Sequence, residues 1–418
     1  MQHERRIVKI VADWVLPISS PPFKDGAVVI KGDTIKAVGK KKDLLRLPYD
    51  ETVDCSGKIL MPGLINAHAH LELTGFRDRI TKGLPFADWA REVVAIRKGL
   101  SEKGIISAIE NGLNELMSSG VTAIGDFSQT KITGRILKEK GLRGIVFLEF
   151  SRSFKSDMKD EIMINLKERF DRFSSIFNLQ SSIRIGIAPH APYSVSKELL
   201  KESYHFAKEK KLPFAIHISE MSEEIDFIKN GSGAMRDLLI DFGIWNNKWI
   251  PPKTTPVEYL HNLGILKGTT GIHLNIVTED DIRILKENNV SVVYCPGSNR
   301  WFGRNRKYPL MEFLDNGVNV AIGTDSLASN ERLNMFYEMR ILKENFSEID
   351  NNTILKMATI NGAKAIGFEG EVGEIALGKK ADIIGIDIKD SSIKDPVEYV
   401  INRAEKVSFS MIDGDRIL

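Results

Sequence analysis

Eight runs of buried-strand character alternate with amphipathic helical stretches between residues 60 and 368. Strands separated by helices in this way form parallel βαβ units, and eight such units in series can close into a barrel. We therefore predict an α/β fold with a (β/α)8 TIM-type barrel over residues 60–368. The strand runs are "ILMPGLINAHAH", "VTAIGDFS", "RGIVFLEFSR", "IRIGIAPHAPY", "LPFAIHISE", "GTTGIHLN", "VSVVYCPGSN" and "VNVAIGTDS".

The two ends of the chain follow a different pattern. Residues 1–59 contain "RIVKIVADWVL" and "AVVIKGDTIKAVG", and residues 369–418 contain "GEIALGKKADIIGIDI" and "AEKVSFSMIDGDRIL". Short alternating runs separated by Gly-Asp and Pro-rich turns are typical of β-hairpins. We expect both ends to combine into one small β-sandwich domain beside the barrel.

Charge and composition exclude several kinds of partner. The 418 residues carry 58 Lys and Arg against 56 Asp and Glu, which gives a net charge of +2. Such a balance favours neither nucleic acid nor an anionic membrane. No apolar run approaches the roughly 20 residues of a transmembrane helix. With two cysteines and no signal-peptide pattern at the N-terminus, we expect a cytoplasmic protein that acts on a small molecule.

Polar residues cluster at the carboxyl ends of the predicted strands, which is the end where barrels of this type carry their sites. Random placement would not select the same end of nearly every strand. We therefore predict one site at this face of the barrel. The residues are His68, His70, Asp126, Arg152, His190, His217, Glu220, His273, Ser298 and Asp325.

His68 and His70 indicate a metal. Alternate residues of a strand face the same side, so both imidazoles point into the barrel mouth. His217 ends the fifth strand and Asp325 the eighth, and three imidazoles with one carboxylate suit zinc or ferrous iron. The alternative for the first pair is two ordinary strand histidines. We predict one divalent metal ion, with zinc preferred and iron as the alternative, because no lysine ends the fourth strand to bridge two metals.

Three further residues are candidates for catalysis and binding. Glu220 follows His217 by three residues and can serve as a general acid or base beside a metal-activated water; the alternative is a helix N-terminal acid. His273 ends the sixth strand and can orient the attacking water, unless it is a core histidine. His190 in "APHAPYS" is predicted to contact the substrate.

The motifs "PGLINAHAH", "HISE", "GIHLN" and "GTDS", with "GEIALGKKADIIGID", resemble the amidohydrolase superfamily over nearly the whole chain. The chlorohydrolase and cytosine-deaminase-like branch is the most similar, including methylthioadenosine/S-adenosylhomocysteine deaminases. "HLE", "PFADWARE" and "SLASNERLN" resemble aminodeoxyfutalosine deaminases.

The resemblance implies a role for each residue of the site. One metal is held by His68, His70, His217 and Asp325, and Asp325 takes the proton of the metal-bound water. Glu220 protonates the ring nitrogen beside the attacked carbon, and His273 holds the attacking hydroxide. The implied reaction is deamination of an adenine-type nucleoside with release of ammonia.

The exact substrate stays open. Adenosine-type relatives resemble this chain at Trp89 and carry a ribose-binding acid further along the same helix, where this chain has Arg97 and Lys98. Either Glu72 or Glu92 replaces that acid, or the sugar is held differently. Arg152 can pair with a substrate carboxylate, as in S-adenosylhomocysteine or aminodeoxyfutalosine, and the alternative is a solvated loop arginine.

Two other functions remain as alternatives. One is the same metal chemistry on a guanine, cytosine or triazine substrate. The other is a non-catalytic barrel with a binding role. The oligomeric state also stays open, with a homo-oligomer as one option.

Overall fold

The computed structural model describes residues 6–130, 132–151, 154, 158–176, 182–304, 306–389 and 393–418. Its strands form two groups, one from the chain ends and one from the middle. In chain order they are β1 (Ile7–Val15), β2 (Phe23–Lys31), β3 (Thr34–Lys40), β4 (Glu51–Pro62), β5 (Leu64–Ala69), β6 (Val121–Ser128), β7 (Arg143–Phe150), β8 (Ile183–Pro189), β9 (Ala215–Ile218), β10 (Thr270–His273), β11 (Ser291–Tyr294), β12 (Asn319–Ile322), β13 (Ile383–Asp387), β14 (Phe409–Ile412) and β15 (Asp415–Arg416).

Helices separate the middle strands, and several begin at a side-chain cap: Ser101, Ser196 and Thr278 each accept a hydrogen bond from a backbone N–H of the first turn. The α-helices are α1 (Phe86–Lys98), α2 (Glu102–Ser118), α3 (Ile132–Glu139), α4 (Lys159–Ile176), α5 (Lys197–Glu209), α6 (Ser222–Asn230), α7 (Ala234–Asp241), α8 (Pro256–Asn262), α9 (Glu279–Glu287), α10 (Pro296–Trp301), α11 (Leu310–Asp315), α12 (Met335–Asn345), α13 (Asn351–Met357), α14 (Ile360–Ala365) and α15 (Pro396–Arg403). Within the described ranges, no helix is both long and apolar enough to cross a lipid bilayer.

The middle strands form the predicted barrel. β5 to β8 pair in parallel in one sheet, and β9 to β12 pair in parallel in another. Two parallel bridges join these sheets into a ring, Ala69 to Asp325 and Ile187 to Phe214. Small side chains such as Ala123 and Ala321 fill the interior with Phe147, and Phe368 packs against the same cluster. All eight predicted barrel strands are confirmed.

The chain ends form the predicted separate β unit. Its described strands pair in one sheet in the order β15-β14-β13-β4-β1-β2-β3, antiparallel except for β1 with β4. β4 shows how this unit joins the barrel: Leu60 packs in the core of the terminal sheet, whereas Ile59 and Met61 pack in the larger cluster that includes the barrel helices. Alternate residues of one strand thus serve two cores.

Candidate active site

Three histidine side chains meet at the mouth of the barrel. His68 lies in β5, His70 follows it, and His217 lies in β9. One ring nitrogen from each lies within 4.8 Å of the others, and Nε2 of His70 is 3.3 Å from Nε2 of His217. Two imidazole nitrogens bound at about 2.0–2.1 Å to one tetrahedral zinc would lie roughly 3.4 Å apart. The spacing therefore fits one shared ion.

The hydrogen bonds of these histidines leave their metal-binding lone pairs free. Nδ1 of His217 is 2.8 Å from the carbonyl oxygen of His190, which can only accept, so Nδ1 carries the proton and Nε2 is bare. Both ring nitrogens of His68 are buried, and the structure gives neither a hydrogen-bond partner. Buried polar atoms are nearly always paired, so these nitrogens indicate a missing ligand. The residues present therefore fit a divalent ion.

Asp325 completes this cluster from the loop after β12. Its Oδ1 lies 3.7 Å from Nε2 of His68 and 3.9 Å from Nε2 of His70. Its Oδ2 accepts hydrogen bonds from the hydroxyls of Ser298 and Ser329, each at 2.8 Å. The two serines fix the carboxylate, so that Oδ1 faces the histidines.

The backbone is strained at two residues of the site. His273 has a φ of 72° and Asp325 a φ of 58°, values that side chains other than glycine rarely adopt. Such strain concentrates at functional sites, where the surrounding structure enforces it. Gly323 allows the close approach of β12 to β5, because a Cβ there would lie 2.8 Å from Cβ of His68.

Glu220 and His273 lie together beside the histidine cluster, with Oε1 of Glu220 3.7 Å from Nε2 of His273. Arg304 donates from Nη2 to the same Oε1 at 2.8 Å. The backbone N–H of Glu220 donates to the carboxylate of buried Glu224 at 2.9 Å. A general acid or base thus has a fixed position at the edge of the metal cluster.

Burial disfavours the protonated form of three histidines at the site. It lowers the pKa of His68 and His273 well below the usual value, and it lowers that of His217. Burial alone would raise the pKa of Asp325, but the neighbouring imidazoles of His68 and His273 hold it well below its usual range. Neutral imidazoles and an ionised carboxylate are the forms that bind a metal.

A cavity opens from the cluster and is lined by aromatic rings on one side. Phe86, Trp89 and Tyr193 line it with His190. Trp89 donates from Nε1 to the carbonyl of Ala328 at 2.7 Å, which fixes the indole. Burial lowers the pKa of His190 to about 4, so its ring is neutral at neutral pH. These rings suit a flat heterocycle.

Two acids that were candidates for substrate binding, Glu72 and Glu92, do not line the cavity. Glu72 is buried, and its carboxylate accepts from Arg97 at 2.6 Å and from the Ser128 hydroxyl at 2.6 Å. Of this pair, Arg97 lines the cavity and Glu72 does not. Glu92, the other candidate acid, holds the N–H and hydroxyl of Thr81. Arg152 lies outside the described residues.

Sequence reasoning missed three charged side chains at this site. Glu149 lines the cavity from β7, Arg304 pairs with Glu220, and Glu224 holds the backbone of Glu220. The sequence could have predicted that Glu149 faces the barrel interior, because it lies two residues after inward-facing Phe147 in an apolar strand. One atom each from Glu149, His190 and His217 also lie within 4.8 Å of one another.

The chain is similar in sequence to proteins of known function. A model of the amidohydrolase family matches residues 59–417. A 5-methylthioadenosine/S-adenosylhomocysteine deaminase of Thermoanaerobacter pseudethanolicus is 30% identical over 395 residues, covering 91% of this chain and 85% of the relative.

Two solved structures share the fold. An adenosine deaminase of Xanthomonas campestris with bound zinc superposes with a TM-score of 0.86 and 25% identity, over 99% of this chain and 93% of the other. An aminofutalosine deaminase of Helicobacter pylori superposes with a TM-score of 0.83 and 25% identity, over 99% and 100%.

Proposed function

Since the chain belongs to the amidohydrolase family and is therefore a hydrolase that acts on carbon–nitrogen bonds, we propose that it deaminates an adenine-type nucleoside. Water would add to the ring carbon that bears the amino group, and ammonia would leave. The candidate substrates are methylthioadenosine, S-adenosylhomocysteine and aminodeoxyfutalosine. The relatives named as deaminases of such nucleosides support this proposal.

One observation carries the proposal: a three-histidine cluster with a facing carboxylate has Glu220 and His273 at its edge, inside one cavity. Hydrolysis of an aromatic amine needs an activated water, a base to take its proton and an acid for the ring nitrogen. The cluster offers a residue for each task.

The histidines and Asp325 would hold the metal, for which we propose a single zinc ion. A zinc ion bound with an open position lowers the pKa of water to about 7, which supplies a nucleophile at neutral pH. Asp325 faces His68 and His70 with Oδ1, because Ser298 and Ser329 donate to Oδ2. Asp325 would also take the proton of the attacking water.

Glu220 and His273 would act on the substrate side. His273 is neutral and buried, and it lies close enough to Glu220 to orient the attacking water without a competing positive charge. Glu220 protonates the ring nitrogen beside the attacked carbon and so makes the amino group a better leaving group. Its backbone contact with Glu224 and its ion pair with Arg304 keep it in place.

The cavity walls favour a purine nucleoside. Phe86, Trp89 and Tyr193 can stack on a flat ring. His190 lies next to His217, so it would face a ring nitrogen of the bound purine. Val93, Leu238 and other apolar side chains of α1 and α7 also line the cavity.

Ammonia release from zinc-loaded protein tests the proposal. The panel is methylthioadenosine, S-adenosylhomocysteine, adenosine, aminodeoxyfutalosine, guanine and cytosine. We expect release from at least one adenine nucleoside and none above background from Glu220→Gln. His205→Ala, an exposed residue on α5, is the control that keeps activity. Release from guanine or cytosine alone would contradict the nucleoside proposal.

A further inference from the structure

Asp126 is a buried acid that the proposed reaction does not use. It lies in β6 and is 0% exposed, yet it does not line the active-site cavity. The next residue, Phe127, packs in the barrel interior. Because neighbouring residues of a strand face opposite sides, Asp126 points away from the interior, toward the layer of helices. The sequence pattern grouped Asp126 with the residues of the site, whereas the structure places it behind the site.

The carboxyl of Asp126 holds the peptide bond that follows His70. Its Oδ1 accepts a hydrogen bond from the backbone N–H of Leu71 at 2.8 Å. The carbonyl oxygen of His70 belongs to the same peptide bond and accepts from the N–H of Leu73 at 3.0 Å. Because a peptide unit is planar, fixing both of its polar groups fixes its plane. The backbone direction after His70, with a ψ of 81°, is therefore set from two sides.

Leu71 begins a short 3-10 helix, Leu71–Phe76, and its N–H is one of the groups that a helix cannot pair internally. His70 precedes this helix and gives it no side-chain cap. Asp126 supplies the missing acceptor from a strand 55 positions further along the chain. The side chain of Leu71 is itself fully buried, so the start of the helix is fixed at both backbone and side chain.

The other proposed ligands are held by different contacts. The carbonyl of His68 accepts from the N–H groups of Thr324 and Asp325, each at 3.1 Å. The carbonyl of His190 lies 2.8 Å from Nδ1 of His217 and accepts from its N–H at 3.0 Å. These contacts join the ligand-bearing strands and loops to one another, and none of them fixes His70.

His70 depends on its backbone for its position. Its side chain is 12% exposed and lines the cavity, so packing does not enclose the ring. The ring contacts the imidazoles of His68 and His217 and the ring of Phe127. The direction of the backbone at His70 therefore decides where its Nε2 lies.

We propose that Asp126 is a positioning residue for the metal site: by holding the peptide bond after His70, it directs this imidazole toward the position that His68, His217 and Asp325 share. The inference rests on the metal site of the proposed function. Groups that orient metal ligands from outside the ligand set commonly alter metal affinity by 10- to 100-fold when they are removed.

The test removes the acceptor with Asp126→Val, which leaves a residue suited to a strand. One readout is the zinc dissociation constant, measured by competition with a chelator. The other is the visible absorption spectrum of the cobalt-loaded protein, which depends on the geometry of the ligands. For Asp126→Val we expect zinc binding to weaken by about 10- to 100-fold and the spectrum to change. Asp126→Asn keeps an acceptor oxygen and should stay close to the unmodified protein in both readouts.

Thr122→Val is the matched control. Thr122 lies in the same strand and is 1% exposed, and its hydroxyl has no hydrogen-bond partner among the described residues. The substitution again removes a buried polar group from β6, but it leaves the peptide bond after His70 untouched. We expect the zinc dissociation constant and the cobalt spectrum of this variant to equal those of the unmodified protein.

Two results with these variants would overturn the inference. The first is a folded Asp126→Val protein whose zinc dissociation constant and cobalt spectrum are unchanged. The second is an equal loss in Asp126→Val and Asp126→Asn, because the hydrogen bond to Leu71 would then not be the cause. A different result, no zinc binding by the unmodified protein, would overturn the proposed metal site and the inference with it.

Hydrogen exchange at the Leu71 amide tests the contact even if Asp126→Val does not fold. In the zinc-free unmodified protein, we expect this amide to exchange as slowly as the amides inside β5, because its acceptor is in place before the metal binds. Exchange as fast as in an exposed loop would overturn the inference.

Discussion

Arg304 donates from Nη2 to Oε1 of Glu220 at 2.8 Å and from Nη1 to Oδ1 of Asn299 at 2.7 Å. Asn299 donates in turn to Asn275, and Asn275 donates to the carbonyl of Glu220. The four residues form a closed ring of hydrogen bonds around the proposed acid. Glu220 is therefore held at both its side chain and its backbone.

Removing this guanidinium should impair catalysis without removing the metal. For Arg304→Met we expect a fall in kcat/KM of about 10- to 100-fold with unchanged zinc content, because Glu220 loses a charged hydrogen-bond partner. Arg304→Lys should recover part of the loss. Arg300→Met, in the same segment but paired with exposed Glu344, should stay close to the unmodified protein. Equal losses in both methionine variants would argue against a specific role.

Metal binding should stabilise the fold measurably. A ligand at 100 times its Kd stabilises the state that binds it by about 2.7 kcal/mol. Adding zinc to chelator-treated protein should therefore raise Tm by several degrees. His68→Ala should abolish most of this rise and most of the bound zinc, whereas His205→Ala should keep both. A rise in Tm of the same size in His68→Ala would show that the zinc binds outside this cluster.

Stability should respond to pH through buried Glu338. Burial raises the pKa of Glu338 to about 8, although its oxygens accept from Gly297 N and Asn330 Nδ2. The folded state then binds one more proton than the unfolded state between about pH 4.5 and pH 8, so its free energy of unfolding falls as pH rises through this window. The slope is at most about 1.4 kcal/mol per pH unit.

Glu338→Gln removes this proton and should become more stable relative to the unmodified protein as pH rises from 5 to 8. Denaturant unfolding at several pH values measures the difference in free energy of unfolding between the variant and the unmodified protein. Only the change of this difference with pH tests the prediction, so a destabilisation that is the same at every pH does not affect it. Glu344→Gln on the same helix, exposed and paired with Arg300, should show a flat difference. A flat difference for Glu338→Gln as well would contradict the raised pKa.

Arg143 joins the barrel to the terminal sheet. It is 2% exposed, donates from Nε and Nη2 to both oxygens of Asp382, and also contacts Asp413. Breaking a buried pair leaves a charge without its partner, so Arg143→Ala should lower the free energy of unfolding by about 3–5 kcal/mol. Arg135→Ala, which removes an exposed pair with Glu139, should change it by less than about 1 kcal/mol.

Local sequence patterns were enough to predict the barrel and the cluster of histidines. Strand period and length marked all eight barrel strands, and the fold then brought His68, His70 and His217 together because parallel strands of a barrel end at one face. The terminal sheet was predicted from hairpin patterns at both ends.

Contacts between distant loops could not be predicted in this way. Arg304 and Glu220 are 84 positions apart, and nothing in a local pattern pairs them. Glu72 was predicted to bind substrate, but Arg97 approaches it across 25 positions of sequence and occupies it. The direction of Glu149 was readable from strand alternation, whereas its hydrogen bond with Gln129 depends on where that side chain lies.

The most direct measurement is the fate of oxygen and nitrogen when the protein turns over its preferred nucleoside in water enriched in heavy oxygen. Hydrolytic deamination predicts one heavy oxygen on the purine ring of the product, one ammonia per turnover and an intact bond between base and sugar. Glu220→Gln should form neither the labelled product nor ammonia and should leave the nucleoside unchanged. Free adenine with the heavy oxygen on the sugar, and no ammonia, would contradict the account.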